Sequence, residues 1–216
     1  MIKILAKVSI LGIGPGSKNY LLKITEEKIK EADVLIGSSR ALSLFSDLNK
    51  ETMEITAQLQ KIKEFIPRNY QSKKIAVLVS GDPGLFSLMN YLKREFNKDI
   101  FEVIPGISSL QLAAARLQMR WDDLEIVSLH GNPINDDFIK LVKDEPKIGF
   151  LTDQNSSPDQ IARILIENQI KNKKAAVCED LSYSSENITK GSFKEIAAQN
   201  YSNLNVMVIY DENLEI

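Results

Sequence analysis

One cysteine, one histidine and one tryptophan are spread over 216 residues, and each scarcity removes a class of chemistry. A single thiol, Cys178, cannot form an internal disulfide, which fits a reducing compartment. It ends the apolar run Ala175-Ala176-Val177-Cys178 and reads as a small buried hydrophobe, not a nucleophile. One cysteine with one histidine, His130, leaves no zinc ligand set, so no metal site is expected. Charge excess is missing too: Lys+Arg 27 against Asp+Glu 29 gives a net charge of -2. No Lys/Arg stripe with interleaved aromatics marks a nucleic-acid face, and the basic cluster Lys171, Lys173 and Lys174 reads as a solvated helix end. No stretch approaches the ~20 apolar residues of a membrane span. Lys3 and Lys7 precede apolar residues, but that run stops at Gly12, too early for a secretion signal. The expectation is a soluble cytoplasmic protein without nucleic-acid or membrane partners.

What the chain does have is one kind of turn, three times. Val8-Ser9-Ile10-Leu11 runs into Gly12-Ile13-Gly14-Pro15-Gly16, and Ile75-Ala76-Val77-Leu78-Val79 into Ser80-Gly81-Asp82-Pro83-Gly84. Phe101-Glu102-Val103-Ile104 runs into Pro105-Gly106-Ile107-Ser108-Ser109. A helical pattern follows each turn, so all three gather at the carboxyl edge of one parallel sheet, where open α/β sheets bind ligands. Glycine there allows close backbone approach to a ligand, and proline sets the loop shape in advance.

The first half alternates short apolar runs with amphipathic stretches, the sign of βα units. Strands are expected at 8–11, 34–37, 53–55, 75–79 and 101–104. Helices are expected over 21–32, from Arg40 with Ser38 or Ser39 as cap, over 59–65 ending near Pro67, over 85–96, and from Leu110. Beyond Arg116 to Asp123 the pattern changes. Strands at 124–129, 148–151, 175–179, 186–191 and 205–209 follow, with short helices between, and the late ones lack long crossovers, which suggests antiparallel pairing. The fold class is therefore α/β in two domains, 1–116 with a mostly parallel sheet and 117–216 with a mixed one.

Several ligands for glycine turns are excluded by detail. Gly12 and Gly14 fit the first two positions of the dinucleotide fingerprint, but Ser17 stands at the last. The second strand ends in Gly37-Ser38-Ser39, without the acid that would hold a ribose. No turn ends in Gly-Lys-Ser/Thr, so none is a P-loop. Three tight turns without a ligand remain an alternative, which one such turn would suit better than three. Asp82, between Gly81 and Pro83, either caps the following helix or meets a ligand.

Taken in order and spacing, Gly12-Ile13-Gly14-Pro15-Gly16-Ser17, Ser80-Gly81-Asp82-Pro83-Gly84-Leu85-Phe86 and Val103-Ile104-Pro105-Gly106-Ile107-Ser108-Ser109 resemble the motif set of the tetrapyrrole (corrin/porphyrin) methyltransferases. The resemblance covers nearly the whole chain. Four more stretches, Val34 to Arg40, Val127 to Gly131, Phe150 to Asp153 and Cys178 to Tyr183, are similar to the branch that methylates a ring carbon of a cobalt-precorrin. The resemblance implies a class III methyltransferase fold, with S-adenosylmethionine in the cleft between the two domains, S-adenosylhomocysteine as product, and a homodimer. It also implies the stand-alone methylase of anaerobic cobalamin synthesis, in transient contact with a separate carbon-15 methylase/decarboxylase. Carried over by position, the cofactor would touch Pro15, Ser80, Gly81, Asp82, Leu85, Ser108 and Ser109. In the second domain it would touch Leu151 or Thr152, Leu181 and the Asn205-Val206 segment. Gly12, Gly14 and Gly16 would lie toward the tetrapyrrole. Ser184-Ser185 departs from the proline and aspartate common in relatives.

Methyl transfer from a sulfonium asks the protein mainly for alignment. A base is needed only to take a proton afterwards, and Asp82 and His130 are the candidates for this catalytic role. His130, in His-Gly-Asn-Pro at a strand exit, is also expected to face the substrate. The substrate's many carboxylates call for cationic donors; Arg40, near a helix start, is the first choice, and Lys18, Arg116 and Arg120 are weaker ones. Alternatives are another tetrapyrrole methylase (a different ring carbon, or uroporphyrinogen), diphthine synthase, or a nucleotide-binding module without chemistry.

Overall fold

A computed structural model describes residues 8–56 and 59–214; Lys3 and Lys7 lie outside the described residues. The chain divides into two compact units, the first ending at Ser108 and the second beginning at Ser109.

Five strands form the first unit's sheet: β1 Val8–Gly12, β2 Val34–Gly37, β3 Glu51–Glu54, β4 Ile75–Val79 and β5 Phe101–Ile104. Their order is β3-β2-β4-β1-β5, and every pairing is parallel. Helices α1 Lys23–Glu31, α2 Ser39–Ser43, α3 Gln60–Asn69 and α4 Met89–Glu95 connect them. Alternation along the strands builds two cores. Ile10, Val34, Ile36, Ile75 and Val77 pack with Ile62 and Ile66 of α3 and Leu92 of α4. Leu11, Leu35, Ala76 and Leu78 pack with Ile29 of α1, Ala41 of α2 and Phe45 on the opposite face. A sheet covered on both faces needs strands that are apolar throughout, and β4 is buried at all five positions. The chain leaves β1 toward β2 and leaves β4 toward β5, in opposite directions across the sheet. That switch point opens a crevice at the carboxyl ends of β1 and β4.

The second unit's sheet is mixed, in the order β6-β7-β10-β8-β9. Its strands are β6 Glu125–Ser128, β7 Lys147–Leu151, β8 Lys173–Glu179, β9 Asn187–Gly191 and β10 Asn205–Asp211, and its helices are α5 Ser109–Leu117, α6 Asp136–Asp144, α7 Pro158–Glu167 and α8 Phe193–Ala197. Only β6 and β7 pair in parallel, while β10 pairs antiparallel with β7 and β8, and β8 with β9. The core joins Phe150, Val177, Met207 and Ile209 to Val142, Ile161, Leu165 and Ile196. Helix α5, placed in the first domain by the sequence pattern, counts with the second unit. Its Leu110 lies against Gly149 of β7, 2.9 Å from where a Cβ would stand.

Three local expectations need correction. Helix α3 runs through Pro67 to Asn69 because proline removes a single donor near the helix end. Burial of Ile62 and Ile66 holds the helix in place, and Asn69 Nδ2 donates to the Phe65 carbonyl at 2.8 Å. Residues 85–88 form a loop, and α4 starts only at Met89. Phe86 has a φ of 44°, and the Ser87 hydroxyl donates to the Pro83 carbonyl, so helical geometry is interrupted there. Lys173 opens β8 instead of ending a solvated helix. Its buried ammonium is 2.5 Å from Asp211 and 2.7 Å from the Glu145 carbonyl. Among the described residues no helix is long and apolar enough to cross a membrane.

Candidate functional site

The three glycine-proline turns leave adjacent strands, with β1 between β4 and β5, and their backbones lock together. Gly14 and Gly81 form an isolated antiparallel bridge. The Gly81 N–H donates to the Gly14 carbonyl at 2.8 Å, and the return bond is 3.4 Å. Both residues have left-handed φ, 79° and 67°, which only glycine adopts without strain. Closer still is the packing of Gly12 on Gly106. A Cβ on Gly12 would stand 2.5 Å from the Gly106 nitrogen and 2.7 Å from the Gly81 carbonyl. These glycines serve loop-to-loop contact, a stricter demand than the open approach to a ligand that the sequence suggests.

Asp82 fastens the second turn to the third. Its Oδ1 accepts from the Gly84 N–H at 2.6 Å and its Oδ2 from the Gly106 N–H at 3.0 Å. Both oxygens are engaged by backbone donors from different loops, so the carboxylate fixes the spacing between the β4 and β5 exits. Ser108 packs on the same assembly, its Cα 3.4 Å from a Cβ built on Gly81.

Arg40 joins from the next strand. Ser38 caps α2, its hydroxyl accepting from the Ala41 N–H at 3.3 Å, as its position before the helix requires. Arg40 in the first turn of α2 then reaches the β4 exit, where its Nη2 donates to Ser80 Oγ at 3.1 Å. The residue assigned to substrate and one assigned to cofactor thus touch, on an exposed edge. The other cations weighed in the sequence are engaged elsewhere. Lys18 pairs with Asp47 at 3.2 Å and lies over the Phe45 ring. Arg116 pairs with Glu186 at 2.5 Å, and Arg120 forks onto Asp122 at 2.8 and 3.1 Å.

The first-turn residues Gly12, Gly14, Pro15 and Gly16 are buried, Leu85 is half-buried and Ser80 is exposed. In the second unit, Leu151, Thr152, Leu181 and Val206 collect at one sheet edge. Val206 sits opposite Leu151 and Cys178 in neighbouring ladders. The Thr152 hydroxyl donates to Asn205 Oδ1 at 2.6 Å, and Asn205 Nδ2 donates to the Ser202 carbonyl at 2.6 Å. The Ser202 hydroxyl in turn donates to Asp180 Oδ1 at 2.7 Å. Leu181 is buried between Asp180 and Ser182, two non-glycine residues with φ of 46° and 76°. Glu186 braces that turn by accepting from the Ser182 N–H at 2.7 Å. The Arg116 guanidinium beside Glu186, with that N–H, holds its carboxyl below the usual value of 4.5. Cys178 is buried, and burial pushes its thiol up to about 12, which leaves no thiolate nucleophile at neutral pH.

His130 is exposed just beyond β6, its Nδ1 3.5 Å from Ser128 Oγ. The Gly131 N–H faces Asp153 Oδ2 at 3.4 Å. The sequence reading named the Asn205-Val206 segment but missed that the Asn205 side chain links Thr152 to Ser202. It also missed the mutual packing of Gly12 and Gly106, for which a glycine at the end of β1 and another after β5 were the available signal.

Comparison with known proteins follows the same line. The chain is 39% identical over 214 residues to the probable cobalt-precorrin-7 C(5)-methyltransferase of Methanocaldococcus jannaschii, covering 97% of this chain and 100% of that one. It is 27% identical to the cobalt-precorrin-7 C(5)-methyltransferase of Salmonella typhimurium, covering 95% and 99%. A crystal structure of the precorrin-6Y methylase of Archaeoglobus fulgidus shares the fold, with a TM-score of 0.72, 22% identity and coverage of 95% and 98%. Residues 7–197 match the family described as Tetrapyrrole (Corrin/Porphyrin) Methylases, and with the glycine turns locked as they are at the sheet edge, the chain belongs to that family.

Proposed function

We propose that the protein is an S-adenosylmethionine-dependent C-methyltransferase that methylates carbon 5 of cobalt-precorrin-7 in cobalamin biosynthesis. The observation that carries this is the assembly of three turns at a topological switch point, in a chain 39% identical to a relative bearing that name. The groups at this edge are backbone N–H and C=O, the Ser80 hydroxyl and the Arg40 guanidinium. Without a Gly-Lys-Ser/Thr turn they suit a nucleoside ligand that lacks phosphates. Pro15, Ser80, Gly81, Asp82, Leu85, Ser108 and Ser109 are the proposed donor contacts of the glycine turns and the start of α5. Leu151, Thr152, Leu181 and Val206 are those of the second sheet.

When bound, the donor supplies an electrophilic sulfonium methyl, and the macrocycle itself supplies the carbon nucleophile. The protein's work is alignment. Asp82 keeps the β4 and β5 loops at fixed separation, so besides its proposed contact it acts on the donor through loop position. Arg40 spends one N–H on Ser80 and has further donors for a peripheral carboxylate of the macrocycle. The first turn, Gly12 to Gly16, offers backbone to the same substrate. His130, whose Nδ1 faces Ser128, has Nε2 free to take the proton released after transfer. Homodimer formation, a cytoplasmic setting and contact with a carbon-15 methylase belong to the same proposal. The single buried cysteine supports the reducing compartment, and family resemblance supports the other two. Calorimetry tests the donor: S-adenosylhomocysteine should bind while NAD and ATP do not. Tight NAD binding with no S-adenosylhomocysteine signal would contradict the proposal.

A further inference from the structure

Phe86 combines two features that folding alone disfavours. The residue is 56% exposed, and its φ of 44° lies in the left-handed region, which a bulky L-residue adopts only under constraint. The other described non-glycine residues with positive φ are Asn49, Gln118, Gln169, Asp180 and Ser182, all polar. The constraint on Phe86 comes from both sides. Before it, the Leu85 N–H donates to the Asp82 carbonyl at 3.2 Å and the Gly84 N–H to Asp82 Oδ1. After it, the Ser87 hydroxyl donates to the Pro83 carbonyl and accepts from the Met89 N–H at 3.1 Å. A braced loop therefore holds an aromatic ring in solvent at the exit of β4, the strand end where Arg40 meets Ser80.

Strain and exposed apolar surface persist together where a ligand uses them. We propose that Phe86 is a stacking surface for the conjugated face of the tetrapyrrole, with Arg40 answering the carboxylates at its rim. The inference rests on the methylase reading. An aromatic ring fixed by its backbone meets a conjugated ring with little entropy left to lose, and the two contacts divide the substrate by chemistry: apolar face to Phe86, anionic rim to Arg40.

The test uses the full chain and Phe86→Gly, Phe86→Leu and Phe86→Tyr variants. The probes are cobyrinic acid, a stable cobalt corrinoid with free carboxylates, followed by absorbance titration, and S-adenosylhomocysteine, followed by calorimetry. Phe86→Gly is expected to weaken the corrinoid about ten- to hundredfold, and Phe86→Tyr to stay within about threefold of the parent. S-adenosylhomocysteine affinity should hold within about threefold in every variant. Glycine accepts the left-handed φ freely, so Phe86→Gly should not lower the thermal midpoint, whereas loss of a structural aromatic would. Corrinoid affinity unchanged in Phe86→Gly overturns the inference and leaves the methylase reading standing. Loss of a dimer with corrinoid affinity intact overturns it too, by assigning Phe86 to a subunit contact. A parent protein that binds S-adenosylhomocysteine but no corrinoid overturns the macrocycle reading and this inference together.

Discussion

Replacing Gly106 with alanine asks whether the three turns are one assembly. A Cβ there would enter the space of the Gly81 carbonyl oxygen and stand 2.8 and 2.9 Å from the Gly12 carbonyl carbon and Cα. All three neighbours are backbone at the ends of β1 and β4, so no side-chain rotation relieves the clash. Overpacking of this kind costs about 1–3 kcal/mol. An opening of about 1 Å, enough to restore ordinary contact, also breaks the 3.0 Å bond from the Gly106 N–H to Asp82. Hydrogen bonds to a charged group are worth about 1.5–3 kcal/mol. The combined loss, about 2.5–6 kcal/mol, lowers the melting temperature of a unit this size by roughly 10–25 °C. Circular dichroism melting and calorimetry with S-adenosylhomocysteine read both consequences, and binding should weaken at least tenfold below the transition. Gly131→Ala is the control: nothing lies within 4 Å of its Cβ. Only left-handed strain of about 1–2 kcal/mol is then expected, with donor binding intact. A Gly106→Ala protein that melts and binds like the parent would refute the locked assembly.

Arg40→Ala should raise KM for the macrocycle about ten- to hundredfold, the worth of one charge-assisted contact, while S-adenosylhomocysteine affinity changes less than about threefold. Equal loss of both would move Arg40 from the substrate to the donor. His130→Ala should lower kcat about a hundredfold or more with donor affinity intact, and a parent-like kcat would place the base elsewhere. Glu186 has a folded-state pKa below 4.5, chiefly through Arg116, so its bonded carboxylate stabilises the fold above about pH 4.5 and that support is lost as pH falls. Glu186→Gln should accordingly show a flatter stability curve than the parent between about pH 5 and 3. An unchanged acid limb counts against the Arg116–Glu186 brace on the Asp180–Ser182 turn.

Much of this site could be read in the sequence because period and punctuation agree there. The β4 run of five apolar residues and the turns after β1, β4 and β5 place three loops on one edge without further knowledge. A serine cap before Arg40 was expected at Ser38 or Ser39, and Ser38 fills it. The rest depends on contacts distant in sequence. Nothing local shows that Asp82 divides its two oxygens between Gly84 and Gly106, or that Gly12 packs directly on Gly106. Phe86 has helical neighbours in the pattern, and only the Ser87–Pro83 bond and the left-handed φ keep residues 85–88 out of α4. Pro67 stops a helix by propensity, yet burial of Ile62 and Ile66 carries α3 past it. Lys173 reads as solvated until Asp211, on the neighbouring strand, supplies its partner.

Methyl transfer to carbon 5 is read from the product itself. The purified protein is incubated with cobalt-precorrin-7 and S-adenosylmethionine carrying a carbon-13 methyl group, and the macrocycle is examined by NMR. One new enriched methyl on carbon 5 is the expected result. A label on another ring carbon, or no transfer by a protein that binds S-adenosylhomocysteine, contradicts it.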